Sequence, residues 1–188
     1  MRRLLAVLMM LPLLLLAGCG KEEEQTQRAL DFRTALLEAG GCAFDADVQV
    51  SYGDTLAAFS LHCTASLTDG VTMTLTAPET LRGMTARVDA EGAKIVYDGA
   101  ELGFSTLAGG NLAPMAVPWE LTRCWAEGYI AWTGMEGELL RVTYLSGYGD
   151  REIQADVWFD GMTPCRAELA YEGQKLVSAG ISNFTFEA

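Results

Sequence analysis

Positive charge is scarce in this chain. Thirteen Lys and Arg stand against 25 Asp and Glu, a formal net charge of −12. A nucleic-acid binder needs basic surface to neutralise phosphates, so that partner is excluded. There is a single histidine, His62, which leaves little material for histidine metal sites or a histidine-based triad. The sequence has no Cys-x-x-Cys, no Gly-x-Ser-x-Gly and no calcium-loop spacing, and Ala108-Gly109-Gly110-Asn111 lacks the lysine of a phosphate loop. No apolar run reaches the ~20 residues of a membrane-spanning helix. Neither a cofactor, a metal nor an enzymatic activity is therefore expected. What is present is 50% hydrophobic and 20% charged, which excludes disorder for most of the 188 residues. That length suits about one domain. Twenty glycines and many threonines argue against an all-helical protein.

The N-terminus reads as an address. Met1-Arg2-Arg3 is a short positive start, Leu4 to Leu16 is apolar apart from Pro12, and Leu16-Ala17-Gly18-Cys19 ends the run in small residues. This is the three-part design of an export signal. Its last four residues resemble the lipobox of bacterial lipoproteins. The resemblance implies cleavage before Cys19 and lipidation of that cysteine; the plainer alternative is an ordinary cleaved signal with a chance cysteine. Residues 1–18 are thus expected to be removed, 19–27 to form a lipidated cysteine and polar tether, and 28–188 to fold. The mature chain keeps 11 basic against 25 acidic residues, a charge of −14. Anionic lipid repels such a body, so acyl chains on Cys19 would hold it at the membrane. The expected location is extracytoplasmic, in a bacterial cell envelope.

Beyond the tether the period changes. Thr26 to Ala39 repeats apolar residues at helical spacing (Leu30 and Leu37 beside Ala29, Phe32 and Leu36), and Gly40-Gly41 stops it. Alternation then takes over. Phe59-Leu61-Cys63-Ala65-Leu67, Val71-Met73-Leu75-Ala77, Ile153-Ala155-Val157-Phe159 and Cys165-Ala167-Leu169-Tyr171 interleave with mostly polar residues, Trp158 being the exception. Turn signals such as Thr68-Asp69-Gly70, Tyr97-Asp98-Gly99 and Asp160-Gly161 separate them, and further strands fit near 46–52, 84–90, 93–98, 101–105, 129–133, 137–146 and 175–187. One segment breaks the rhythm: 111–118 is apolar and Pro-rich, and Pro118 to Glu127 reads as a short helix with Leu121, Cys124 and Trp125 on one face. The pattern calls for a mainly β fold, a large antiparallel sheet that is curled or closed.

Four cysteines remain besides Cys19: Cys42, Cys63, Cys124 and Cys165. An even number in an exported chain favours disulfides. Three pairings are possible, with four free thiols as the alternative. If Gly53-Asp54 turns a hairpin, paired residues sum to about 107. Cys42 then faces Ala65 and lies diagonal to Cys63. That favours Cys42–Cys63, with Cys124–Cys165 tying down the short helix.

The order of elements, the turn Ala77-Pro78-Glu79-Thr80-Leu81-Arg82-Gly83 after a strand, and the closing Ile181-Ser182-Asn183-Phe184-Thr185-Phe186 together resemble the LolA/LolB-like lipoprotein-carrier superfamily. The resemblance implies a curved, unclosed antiparallel half-barrel with an N-terminal helix and a short helical insert over its concave face. It also implies an apolar cavity for acyl chains, and in some lipidated relatives a role as partner of envelope or spore-germination proteins.

Phe59, Leu61, Met73, Leu75, Val157, Phe159 and Leu169 are the expected cavity wall, with Leu121 and Trp125 as its lid. The same residues would line a filled core, and apolar pattern alone does not separate the two. His62 falls among Ser60, Thr64 and Ser66 with no adjacent carboxylate, as a surface histidine would. The four tryptophans, Trp119, Trp125, Trp132 and Trp158, suit packing or sugar stacking. The first expectation is an anchored, non-enzymatic lipoprotein that binds acyl chains. The second is a scaffold docking an envelope protein through a sheet edge or the helical insert.

Overall fold

The computed structural model describes residues 19–52, 55–108, 111–149 and 152–187. The expected export signal, 1–18, lies outside the described residues, as does the side chain of Cys19.

Helix α1 spans Cys19–Ala39, so the segment expected as a tether is its first two turns. Strands β1 (Gly41–Tyr52), β2 (Thr55–Ser66), β3 (Gly70–Ala77), β4 (Thr85–Asp89), β5 (Gly92–Tyr97) and β6 (Ala100–Phe104) follow as a meander. Two-residue strands β7 (Leu107–Ala108) and β8 (Asn111–Leu112) form a ribbon that leads, through a 3-10 turn at Pro114–Ala116, into α2 (Val117–Glu127). Strands β9 (Tyr129–Glu136), β10 (Leu139–Ser146), β11 (Ile153–Asp160), β12 (Thr163–Tyr171) and β13 (Gln174–Glu187) complete the chain. One antiparallel sheet of 11 strands runs in the order β6-β5-β4-β3-β2-β1-β13-β12-β11-β10-β9. The last strand pairs with the first, and β6 and β9 remain as edges. This is the unclosed half-barrel expected.

The core follows from period-2 alternation. On β3 the inward Val71, Met73 and Leu75 are buried, while Thr72 points out. β10 and β11 repeat the pattern with Leu140, Val142 and Tyr144, and with Ala155, Val157 and Phe159. α1 contributes Ala29, Phe32 and Leu36 to the same cluster, whereas Leu30 and Leu37 turn to solvent. Each lies one residue past an inward-facing one, a rotation of about 100° round the helix.

The β1–β2 hairpin has the expected register, with Cys42 opposite Ala65 and Phe44 opposite Cys63. All four body cysteines are nevertheless free, which corrects the expected pairs. Cys42 and Cys63 are diagonal neighbours, and such positions lie ~7–8 Å apart, beyond disulfide reach. Burial pushes the Cys42 thiol up to about 12 and the Cys63 thiol higher still, so both act as small hydrophobes. The second pair fails for another reason. A bulge sets Trp158 opposite Arg166 but Phe159 opposite Pro164, leaving Cys165 unpaired between them. Its thiol donates to the Trp158 carbonyl at 3.3 Å. Cys124 instead lies against Ser146, at the other end of the sheet.

Trp158 breaks the alternation because the outer face buries it too. Its ring sits between the Arg166 and Arg141 guanidinium groups, at 4.3 and 5.1 Å from the ring centroid, and Arg141 also lies 5.6 Å from the Trp132 ring. The Trp158 indole N–H donates to Glu136 at 3.0 Å.

Gly70 opens β3 with φ +95°, and a Cβ there would stand 2.3 Å from the Val88 carbonyl oxygen. Gly70→Ala is therefore expected to cost roughly 2 kcal/mol of stability, read as a lower denaturant midpoint at unchanged slope. An unchanged midpoint would contradict this close approach.

Candidate functional site

The concave face, roofed by α1 and α2, brings the sequence-selected residues together. Leu61, Met73, Leu75, Val157, Phe159 and Leu169 come from four strands, and Leu121 and Trp125 from α2; none is more than 2% exposed. Phe59 packs against the same cluster, partly buried. Among the described buried residues, the strands add few polar groups to this face: Thr133, Ser146 and the Tyr144 hydroxyl. The floor at these residues is apolar and closed to solvent.

Trp125 is the hub of the roof. Its ring lies 5.9 Å from Phe32 of α1, 5.4 Å from Phe44 of β1 and 5.9 Å from Phe184 of β13, mostly edge to face. Pro118 enters the first turn of α2 without losing a needed donor, and Leu121, Cys124 and Trp125 one turn apart all face inward.

One polar device holds this roof. Arg33 of α1 donates from Nε to the Trp125 carbonyl at 2.9 Å and from Nη2 to the Gly128 carbonyl at 2.5 Å. A guanidinium suits the C-terminal end of α2, where carbonyls lack helical partners and the dipole is negative. Sequence reading missed Arg33, because no local signal ties residue 33 to carbonyls some ninety positions away.

The core also holds two orphans. Among the described residues, the Trp125 indole N–H and the Tyr144 hydroxyl are buried with no hydrogen-bond partner. Burial pushes the Tyr144 phenol well above its ordinary range, against the opposing influence of Arg33, so it keeps its proton.

Beside α2 lies a cleft of about 750 Å³, lined among others by Leu37, Leu67, Asp89, Trp119, Glu120 and Arg123. Arg123 sits 3.6 Å from Glu120 and 3.1 Å from Glu127. Burial pushes the Glu120 carboxyl above its ordinary 4.5, and Arg123 only partly opposes this. Folding therefore favours the protonated form of Glu120 more than the unfolded chain does. That contribution to stability is full below the ordinary value and is lost as pH rises through the folded one. Glu120→Gln should therefore melt higher than the parent at pH 8, with the advantage gone by pH 4. A constant difference across that range would contradict the burial argument.

On the outer face His62 does have a carboxylate: Asp45, across the hairpin, 2.7 Å from Nδ1. Strand neighbours alone hid it. Asn183 joins the same carboxylate at 2.7 Å, and these bonds hold Asp45 below the usual range. Ser60 gives its hydroxyl hydrogen to Asp47, so the serine and the histidine are not chained. Among the described residues no cluster of His, Cys, Asp and Glu is arranged to hold a metal, and no helix is long and apolar enough to cross a membrane.

No protein-family model matches the sequence, and no curated protein matches it. Solved structures do. A DUF1329 family protein from Desulfovibrio piger is similar at TM-score 0.48 and 6% identity, over 89% of this chain and 93% of that one. Lipoprotein LppX of Mycobacterium tuberculosis is similar at TM-score 0.41 and 12% identity, over 88% and 95%. A LolA superfamily protein from Nitrosomonas europaea is similar at TM-score 0.46 and 7% identity, over 85% and 94%.

Proposed function

We propose that this chain is an extracytoplasmic lipoprotein, held to the membrane through Cys19, that binds acyl chains against its concave face when α2 lifts. The observation that carries this reading is the roof itself: a short helix over a floor of apolar side chains, fastened by one arginine to two carbonyls. Lifting α2 uncovers Leu121 and Trp125, at a cost of ~1.5–3 kcal/mol each. An acyl chain buries ~0.8 kcal/mol per methylene, so ten or more methylenes offset that loss. The chemistry needed is displacement of side chains by hydrocarbon, with no covalent bond made or broken. Native mass spectrometry of the chain, purified without refolding, should show a co-purified acyl lipid. A chain that carries none, and takes up no added diacyl phospholipid, overturns the reading.

A second reading has its own support. The floor side chains are shut off from solvent, and the β5–β6 edge exposes Val96, Tyr97 and Leu102. A scaffold that docks an envelope protein along that edge would use this surface and leave the core shut. Capture of one defined partner, lost on Leu102→Lys, together with a lipid-free core would favour it.

A further inference from the structure

Buried polar groups are satisfied as a rule, and an orphan calls for an explanation. Here two hydrogen-bond donors, the Trp125 indole N–H and the Tyr144 hydroxyl, are orphaned in the same core. Both residues are 0% exposed. Arg33 ties them to one neighbourhood: it bonds the Trp125 carbonyl, and its guanidinium lies 5.9 Å from the centre of the Tyr144 ring. The Tyr144 environment also includes Cys124, the residue before Trp125. A mostly apolar core thus holds two unpartnered donors, on two residues that Arg33 contacts.

A bare hydrocarbon leaves both hydrogens unmatched. A carbonyl oxygen accepts from either. From this juxtaposition we infer that the ligand is an acyl compound whose ester or amide carbonyl is recognised by Tyr144 and Trp125. The inference rests on the acyl-binding reading above and sharpens it: the site distinguishes acyl chains from alkyl chains of equal length. Replacing an orphan's missing partner is worth roughly a factor of three per bond, so two bonds together give about tenfold.

The test uses the full chain with Cys19→Ser, so that no lipid of its own competes. It is offered an equimolar mixture of dipalmitoyl phosphatidylglycerol and the dihexadecyl ether lipid with the same headgroup. The two differ in the chain carbonyls. Bound species are counted by native mass spectrometry. The ester lipid should load roughly tenfold over the ether. Tyr144→Phe should shrink that preference to about threefold or less, and Trp125→Phe should also reduce it. Tyr148→Phe, on an exposed loop, should keep it. Tyr144→Phe should melt no lower than the parent, because the hydroxyl it removes has no partner. Equal loading of ester and ether by the parent overturns the inference while leaving acyl binding standing. Loading of neither overturns both. An ester preference that survives both core substitutions also overturns it, by placing recognition elsewhere.

Discussion

Arg33→Met should loosen α2. The substitution keeps an unbranched apolar stem and removes the fork that spans the Trp125 and Gly128 carbonyls. Hydrogen bonds to a charged group contribute ~1.5–3 kcal/mol each, so the pair biases the roof toward closure by about 3 kcal/mol or more. In hydrogen exchange the α2 amides should lose roughly a hundredfold of protection. Those of β1, β2 and β13, at the centre of the sheet, should change far less. Arg33→Lys keeps the charge on a single point and should recover only part of the loss. Protection of α2 equal to that of the parent would mean that aromatic packing alone holds the roof. The latch would then play no part in admitting a ligand.

Much of this architecture is written in local pattern. The change of period at Gly40-Gly41 marks where α1 ends and β1 begins, and each turn signal falls between strands. Even the β1–β2 register follows from one assumed turn, because a hairpin pairs residues of constant sum. What the pattern hides are contacts between segments distant in the chain. The Arg33 bonds to α2 are of this kind. So is the pairing of Asn183 with Asp45, 138 positions apart. The bulge at Cys165 is hidden for another reason. Alternation predicts a phase for a whole strand, and a single extra residue shifts it without leaving a mark in hydropathy. The site shows the same division. Alternation picked out the floor and helical spacing picked out Leu121 and Trp125. Whether that floor is open or filled depends on packing, which apolar identity does not encode.

Trp125→Ala is the substitution that asks whether the roof is part of the core. The indole fills the space between Phe32, Phe44 and Phe184, on three separate elements. Truncating a buried tryptophan to alanine costs ~3–5 kcal/mol, through lost transfer and the cavity left behind. For a chain of this size that is a fall in melting temperature of roughly 10 °C. Trp125→Phe keeps most of the apolar volume and discards only an N–H that has no partner, so it should recover most of the loss. If the closed floor is the resting state of a ligand chamber, the hole is also a vacancy. A plain alkyl chain, which has no carbonyl to offer the indole N–H, should then raise the melting temperature of Trp125→Ala by more than that of the parent. A Trp125→Ala chain as stable as the parent would show that α2 does not pack on the floor in solution. The chamber would stand open at rest, with Arg33 having nothing to hold shut.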